Sequence, residues 1–174
     1  MEDPGGSEGT ERGGWAFKFD RGAEGDKFKL DEVMASDALL LGRVTYEGFA
    51  AAWPGRTDEV GFADMMNRMA KYAVSTTLTD PQWNNSTVIR GNVAEEVSKL
   101  KQQPGQDILV AGSRTLVQME HGLVDEYRLM VFPIVLGNGK RLFQDTKQSE
   151  ALQLVEAKTV GAGVQVLTYR SAPE

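Results

Sequence analysis

Short apolar segments that alternate with helical patterns are the feature that most constrains how this sequence can fold. Residues 38–41 are apolar at every position, which is typical of a strand buried on both faces of a parallel sheet. After them, apolar residues recur at Tyr46, Phe49, Ala50 and Trp53, the spacing of one face of a helix. A strand followed directly by a helix is therefore predicted, as in α/β proteins.

The same alternation continues along the chain. Helices are predicted at 26–35, 62–69 and 93–100, and a short one after 112. Further strands are predicted at 71–77, 86–90, 107–111, 126–132, 152–160 and 164–170. The last two flank Gly161-Ala162-Gly163 and predict an antiparallel hairpin. The predicted fold is a single α/β domain over 1–174, with a mostly parallel twisted sheet, flanking helices and a C-terminal antiparallel hairpin at its edge.

Composition limits the chemistry that this chain can perform. It has no cysteine, and His121 is its single histidine, so thiolate and His-rich metal sites are excluded and we expect no metal. The net charge of -6 argues against nucleic-acid binding. The longest strongly apolar run, near 129–136, is too short to cross a membrane, and the polar first dozen residues do not fit a signal peptide. We therefore expect a cytoplasmic protein that binds neither nucleic acid nor membrane.

Two of the predicted strand ends share one design. "LLLGRVT" (39–45) and "LVAGSRT" (109–115) both lead from a buried strand into glycine, and then into arginine and threonine at a helix start. A helix start carries unpaired N–H groups and partial positive charge, glycine admits a phosphate, and arginine adds a bidentate donor. Ligands of open α/β sheets bind at the carboxyl ends of strands. With the hydroxyls of "VSTT" (74–77), these junctions indicate a dinucleotide site.

An alternative interpretation of the junctions stays open. Glycine and threonine at a helix start also serve as caps and turns in α/β proteins of any function. Neither the GxGxxG fingerprint nor the GxxxxGK[ST] P-loop occurs, so an ordinary Rossmann or P-loop site has no support. A hydrolase that uses Ser113 is disfavoured, because His121 would have to be its base and no GxSxG elbow is present.

Aromatic residues occupy alternate positions in "GGWAFKFD", at Trp15, Phe17 and Phe19. They either pin a loop to the core or form an aromatic wall beside a flat ligand. Under the second interpretation, Trp15 and Phe17 are candidate substrate-binding residues.

Several segments of the chain resemble the dihydrofolate-reductase-like superfamily. They are the final hairpin, "LLLGRVTYEGF", "AVSTTL" and "ILVAGSRTLVQMEHGLVDEYRLMVFPIVLGNGKRLF". Within the superfamily, the chain is most similar to the C-terminal reductase domain of the bifunctional riboflavin-biosynthesis deaminase/reductase, from about residue 1 to residue 170. The resemblance implies an NADPH-dependent reductase that transfers a hydride to a pyrimidine- or pterin-like substrate, as 5-amino-6-(5-phosphoribosylamino)uracil reductase does.

The resemblance also assigns cofactor-binding residues by position. Gly42, Arg43 and Thr45 would hold phosphates at the first junction. Ser75 and Thr76 would lie near the adenosine ribose and its 2′-phosphate. That added phosphate, with an arginine and hydroxyls nearby, would favour NADPH over NADH.

The second junction would lie under the pyrophosphate and nicotinamide side of the cofactor. Its residues are Gly112, Ser113, Arg114 and Thr115. The candidate proton donor is Asp26, which opens the helix predicted at 26–35, close to where dihydrofolate reductases keep their acidic residue. Asp26 either protonates the substrate ring or caps its helix.

The remaining titratable side chains have structural interpretations. Asp31 and Glu32 are expected to be solvated on the predicted helix 26–35. Asp125 and Glu126 form a weaker candidate pair that fits a turn before a strand. His121 precedes the glycine that ends its helix, so an interaction with the helix dipole is expected there.

The sequence departs from the family at its beginning. Family members usually start with a hydrophobic strand, whereas Met1 falls within the loop that follows that strand, so the domain is expected to lack its usual first strand. A non-catalytic nucleotide-binding or scaffold protein on the same fold is therefore the alternative function. The resemblance also implies a homodimer that acts on a small-molecule substrate.

Overall fold

A computed structural model describes residues 3–6, 8–119, 122–143 and 151–172. A short 3-10 helix, Trp15–Lys18, comes first among its regular elements. The helices are α1 (Gly22–Met34), α2 (Arg43–Ala52), α3 (Phe62–Arg68), α4 (Val93–Lys101) and α5 (Arg114–Met119). The strands are β1 (Ser36–Gly42), β2 (Ala70–Val74), β3 (Ser86–Ile89), β4 (Asp107–Val110), β5 (Glu126–Val131), β6 (Leu152–Val160) and β7 (Val164–Ser171).

The contacts divide the chain into two compact units. Unit 1 comprises Met1–Phe28 and Val124–Glu174, and unit 2 comprises Lys29–Leu123. Before β1 the described backbone forms the 3-10 helix and α1 but no strand. The expectation of a single family domain over 1–174 stays a prediction.

Unit 2 contains a four-stranded, fully parallel sheet in the order β3-β2-β1-β4. Side chains of β1 alternate between two hydrophobic clusters. Leu39 and Leu41 pack with Tyr46 in one cluster, and Leu40 packs with Ile89 in the other. Cover on both faces explains why residues 38–41 are uniformly apolar, and it confirms the predicted α/β class.

Unit 1 contains a three-stranded antiparallel sheet in the order β5-β7-β6. The predicted hairpin is confirmed, because β6 and β7 pair antiparallel around Gly161, Ala162 and Gly163. Strand β5 pairs with β7, so these strands form a sheet of their own. Val160, Val164 and Val166 form its core, against which Phe19, Phe28, Met130 and Phe132 pack.

A buried aspartate organises the first described residues, for which the sequence shows no periodicity. The Asp3 carboxylate accepts hydrogen bonds from the backbone N–H groups of Glu8 and Thr10, at 2.9 and 3.0 Å. The hydrogen bond from the Glu8 N–H is the largest effect on the carboxylate, and the bonds together lower the pKa of Asp3. The Asp3 side chain thus satisfies backbone N–H groups in a segment that has no helical or sheet hydrogen bonds.

One acidic side chain, Glu32, and one basic side chain, Lys71, are buried in unit 2. Glu32, expected to be solvated, is only 4% exposed and pairs with Lys29 on the same helix, so that expectation is wrong; Asp31 is exposed as predicted. Lys71 is fully buried on β2, with its ammonium 4.4 Å from the centre of the Trp83 ring. Each charge therefore retains a partner away from water.

None of the described helices is long and apolar enough to span a membrane.

Candidate functional site

The carboxyl ends of the parallel strands place the predicted polar segments along one edge of the unit 2 sheet. β1 ends at Gly42 and pairs there with Val74, the last residue of β2. On its other side, β1 pairs with β4 up to Val110. Because all three strands run in the same direction, the segments that follow Gly42, Val74 and Val110 share this edge.

A hydrogen bond joins the two Gly-Arg junctions. The Ser113 hydroxyl accepts from the Gly42 backbone N–H at 2.8 Å and donates to the Ala111 carbonyl at 3.2 Å. Ser113 is 6% exposed, so its side chain supports the backbone of the site and is not available at its surface. The two segments that share a sequence design are therefore neighbours in space.

Thr45 and Gly112 also meet between the junctions. Gly112 has a φ of +65°, a left-handed conformation that favours glycine, and a Cβ added there would lie 3.4 Å from the Thr45 methyl carbon. The glycine thus serves the backbone geometry, as the capping interpretation requires, and its lack of a side chain leaves room for the Thr45 side chain.

Helix α2 begins at this edge without a side-chain cap. Its N-cap residue is Gly42, with φ -72° and ψ 155°, which has no side chain to accept hydrogen bonds from the first N–H groups of the helix. An uncapped helix start presents N–H donors and partial positive charge. A phosphate group therefore fits the chemistry of this position, and glycine adds no side chain in its way.

Arg43 lies at this helix start but already has a partner. Its guanidinium donates to the Glu47 carboxylate one turn along α2, at 2.9 Å. Both side chains are nearly half exposed, at 44% and 47%, so the pair contributes little to stability and can exchange partners. A phosphate would compete with Glu47 for Arg43.

Ser75 and Thr76 play different parts in the turn after β2. The Ser75 hydroxyl accepts hydrogen bonds from the backbone N–H groups of Thr77 and Leu78, at 3.1 and 2.9 Å. This turn ends the strand at Val74, so the strand prediction of 71–77 was three residues too long. Ser75 is buried and shapes the turn, whereas Thr76 is exposed and could contact a ligand.

Arg90 is a residue at this edge that the sequence interpretation missed. It follows β3, the neighbour of β2, and its guanidinium donates to the Leu78 carbonyl in the turn that Ser75 shapes. No ion pair joins it to a carboxylate within the described residues. The signal was an arginine directly after an apolar strand, in "VIRG", although there the arginine precedes the glycine and no threonine follows.

Arg114 and Thr115 form the first turn of α5. Arg114 is half-buried and Thr115 is exposed. Both follow Ser113 directly, so the second junction lies at the same sheet edge as the first.

The aromatic candidates belong to unit 1. Trp15 is 8% exposed and packs edge-to-face on Phe132, with ring centres 5.2 Å apart, and Phe19 packs on the same ring. These two contacts match the interpretation of a loop pinned to the core. Phe17 is 80% exposed and remains free to meet a ligand. Trp15 also lines a small open cavity with Arg12 and other residues.

Asp26 also lies in unit 1 and does not cap its helix. α1 begins four residues earlier, at Gly22, whose N–H donates to the Asp20 carboxylate at 2.7 Å. Asp26 is in the second turn, 66% exposed, and pairs with Arg21 at 2.6 Å. The predicted helix start and the capping alternative are both wrong, and the role of Asp26 as a proton donor stays a prediction.

The other acidic candidates have structural partners. Glu126 begins β5 and pairs with Arg128 and Arg170, at 2.5 and 2.9 Å. Burial alone would raise the pKa of Glu126, but the hydrogen bonds from both arginines outweigh it and lower that pKa. His121 lies outside the described residues. Within the described ranges, no group of three or more histidine or acidic side chains could hold a metal ion.

The fold places this chain among α/β proteins with a dihydrofolate-reductase-like fold. Three solved structures share this fold. Dihydrofolate reductase from Enterococcus faecalis, solved with NADP(H), has a TM-score of 0.54 at 14% identity, and the match covers 85% of this chain and 82% of the reductase chain. A riboflavin-biosynthesis protein of Shewanella sp. PV-4 has a TM-score of 0.74 at 19% identity, covering 92% and 88%. A pyrimidine reductase-like protein of Corynebacterium diphtheriae has a TM-score of 0.62 at 13% identity, covering 88% and 84%.

Sequence similarity identifies the family. The profile described as RibD C-terminal domain matches residues 5–166. The chain is 36% identical to the uncharacterized protein YyaP of Bacillus subtilis (strain 168), over 76% of this chain and 73% of YyaP. It is 29% identical to the uncharacterized protein YwjB of the same organism, over 90% and 86%. The chain belongs to the RibD C-terminal domain family, which confirms the predicted resemblance.

Proposed function

We propose that this protein is an NADPH-dependent reductase that acts on a pyrimidine- or pterin-like substrate. The observation that carries the proposal is the hydrogen bond from the Gly42 N–H to the Ser113 hydroxyl. It brings two glycine-arginine junctions together at the carboxyl edge of a parallel sheet, where α2 begins without a side-chain cap. Membership in the RibD C-terminal domain family supports a reductase over other nucleotide-binding proteins.

Different residues of this edge would bind different parts of the cofactor. The α2 start at Gly42, with Arg43, would bind phosphate, and the exposed Thr76 hydroxyl would contact the ribose side. Ser113 would fix the distance between the two junctions, and Thr115 would offer a hydroxyl on the other side. When bound, NADPH supplies the hydride from C4 of its nicotinamide, and the protein supplies orientation and exclusion of water.

The preference for NADPH over NADH rests on charge. The ion pair between Arg43 and Glu47 is exposed, so a 2′-phosphate can replace the Glu47 carboxylate at small cost. A charge-assisted hydrogen bond of this kind contributes about 1.5–3 kcal/mol. Since NADH lacks this phosphate, it would lose that contribution.

A non-catalytic nucleotide-binding protein on the same fold is the second candidate. The observation that favours it is the exposure of Asp26 and its pairing with Arg21, which leave this candidate proton donor without the enclosed surroundings of a catalytic acid. This candidate and the reductase both predict cofactor binding, but only the reductase predicts turnover.

The test is a titration of the protein with NADPH and with NADH, followed by nicotinamide fluorescence. We expect the wild-type protein to bind NADPH more tightly than NADH. Arg43→Ala should weaken NADPH binding about tenfold or more and NADH binding much less, given the size of a charged hydrogen bond. Glu47→Gln is the matched control: it removes the competing carboxylate, so NADPH binding should stay equal or become tighter.

The outcomes separate the candidates. An equal loss of NADPH and NADH binding in Arg43→Ala contradicts the 2′-phosphate role. Failure of both cofactors to bind contradicts the reductase and the nucleotide-binding protein together. If NADPH binds, its oxidation is then measured by absorbance with aminopyrimidine and pterin substrates, and binding without oxidation supports the non-catalytic candidate.

A further inference from the structure

The loop after β5 carries the one asparagine of the sequence that is followed by glycine. Asn138 precedes Gly139, whereas arginine, asparagine, serine and valine follow the other four asparagines. Before a glycine, the next backbone nitrogen reaches the side-chain amide carbon of asparagine most easily, because glycine has no side chain to obstruct the approach. Gly139 also has a φ of +135°, a conformation that other residues rarely adopt.

The reacting groups of this pair are accessible and have no strong partners. Both residues are exposed and lie outside any helix or strand. Among the residues that the structure describes, the Gly139 N–H donates to no acceptor. Asn67, by contrast, donates to the Trp53 carbonyl and accepts from the Trp83 indole N–H, at 3.0 and 2.8 Å. The Gly139 nitrogen is therefore free to lose its proton and to attack the Asn138 amide.

A cation lies beside the Asn138 amide oxygen. The Arg12 guanidinium donates to the Leu136 carbonyl, and its Nη1 lies 3.5 Å from Oδ1 of Asn138. A Cβ added at Gly137 would lie 3.1 Å from the same nitrogen, so this glycine leaves room for the guanidinium beside the loop. A cation in this position stabilises the negative charge that develops on Oδ1 when the amide carbon is attacked.

We propose that Asn138 is a site of spontaneous conversion into aspartate and isoaspartate, and that Arg12 assists this conversion. The Gly139 nitrogen forms a bond to Cγ of Asn138, and the bond from Cγ to Nδ2 breaks. Nδ2 leaves as ammonia with the proton that the Gly139 nitrogen loses, and a succinimide ring remains. Water then opens the ring at either carbonyl, which gives aspartate or isoaspartate, and no group is oxidised or reduced. The conversion needs neither cofactor nor turnover, so it is independent of the proposed reductase activity.

The modification changes the charge of a small cavity in unit 1. Asn138 lines this cavity together with Arg12 and Trp15. The product carries a carboxylate in place of the amide, so the weak contact with Arg12 becomes an ion pair. The net charge of the protein becomes one unit more negative than -6. The modified protein therefore has a cavity in which the charge of Arg12 is neutralised.

Incubation of the purified protein at neutral pH, followed by peptide mass spectrometry, tests the proposal. The peptide that contains Asn138 should gain the mass difference between an amide and a carboxylic acid, and isoaspartyl methyltransferase should label it. Peptides with Asn67 and Asn92 should stay unchanged, because the first is held by two hydrogen bonds and the second caps α4 and precedes valine. A more acidic band in isoelectric focusing should appear at the same rate as the modified peptide.

Variants separate the role of Arg12 from the chemistry that any Asn-Gly pair undergoes. Arg12→Gln should slow the conversion about threefold or more, a modest effect because the contact is long and exposed to water. Arg12→Lys keeps a cation and should retain part of the wild-type rate. Lys18→Gln is the matched control: it removes a positive charge that lines a cavity with Arg12 but has no hydrogen bond to Asn138, so the rate should stay unchanged. Gly139→Ala should suppress the conversion, because a side chain then hinders the attacking nitrogen.

The outcomes decide between an assisted site and an inert one. Circular dichroism should show the same fold for all variants, because the substituted positions are exposed. An Asn138 peptide that stays unmodified would overturn the proposal, as would equal rates in the wild-type protein and Arg12→Gln. A faster conversion in Arg12→Gln would overturn it as well, because Arg12 would then restrain the loop and not assist the attack.

Discussion

Lys71 should make the stability of the protein depend on pH in a defined window. The side chain is fully buried on β2, and burial lowers the pKa of Lys71 from 10.5 to about 8. In the unfolded chain the ammonium regains water and its ordinary pKa. Between about pH 8 and 10.5 the unfolded state therefore binds more protons than the folded state, and the free energy of unfolding rises with pH.

The size of this effect follows from the shift and from the contacts of the ammonium. A shift from 10.5 to about 8 corresponds to about 3 kcal/mol as an upper bound. The Trp83 ring, 4.4 Å away, and the Asn67 carbonyl, to which the ammonium donates, both favour the charged form. We therefore expect about 1–3 kcal/mol, fully present as a destabilisation below the folded-state pKa.

The assay compares the wild-type protein with Lys71→Met, which has a side chain of similar length and no charge. Urea unfolding is followed by tryptophan fluorescence at a series of pH values from 7 to 10.5. The wild-type protein should gain about 1–3 kcal/mol relative to Lys71→Met across this window. Because the comparison is a difference, other groups that titrate in the same range cancel.

An exposed lysine supplies the control. Hydrogen bonds from Lys99 to Glu95 and Glu96 raise the pKa of Lys99 above its ordinary value of 10.5, so Lys99 stays almost fully charged in both states through most of the window, up to about pH 9.5. Lys99→Met should therefore follow the wild-type curve through the window. If Lys71→Met also runs parallel to the wild-type protein, Lys71 is not desolvated in the folded state and the reasoning is refuted.

Two further predictions concern the core and the site of unit 2. Tyr46→Phe should lower the free energy of unfolding by about 1–3 kcal/mol, because the buried backbone N–H of Trp83 loses the Tyr46 hydroxyl as its acceptor at 3.1 Å. Ser86→Ala, which keeps that acceptor, should cost less, and equal costs in urea unfolding would contradict this account. Gly112→Ala should cost about 1–2 kcal/mol because its φ is +65°. Gly42→Ala should cost about 0.5 kcal/mol or less, because its φ is -72° and the added Cβ would make an ordinary van der Waals contact at 3.7 Å from the Ser113 hydroxyl. If thermal unfolding shows a larger loss of stability for Gly42→Ala than for Gly112→Ala, the positive φ is not the reason that position 112 requires glycine.

The sequence predicted the elements that depend on the pattern of apolar residues. The uniformly apolar run at 38–41 corresponds to a strand with a cluster on each face, and the hairpin around Gly161 follows from its flanking strands and glycines. The meeting of the two Gly-Arg junctions was predictable as well, since parallel strands end at a common edge. These features depend on the spacing of apolar residues and on the common direction of the parallel strands, both of which can be read from the sequence.

Features that depend on single side chains binding to the backbone were not predictable. A hydroxyl after a strand fits a ligand site and a turn equally well, and in the structure Ser75 shapes the turn. The sequence pattern predicts a helix that begins at Asp26, whereas the helix begins at Gly22, whose N–H donates to the Asp20 carboxylate. The burial of Lys71 depends on Trp83, twelve positions along the chain on a different segment, which no local pattern reveals. Such pairings are set by tertiary structure, and the local sequence is compatible with several of them.

The division of the chain between its two units has a consequence for its synthesis. Unit 2 is one continuous stretch, Lys29–Leu123, whereas unit 1 is built from Met1–Phe28 and Val124–Glu174. A ribosome that adds about 5–20 residues per second completes unit 2 several seconds before the last strands of unit 1 emerge. Through that interval Phe19 and Phe28 have no Val160 or Val166 to pack against. These aromatic side chains thus stay exposed to water during synthesis until strands β6 and β7 have been made.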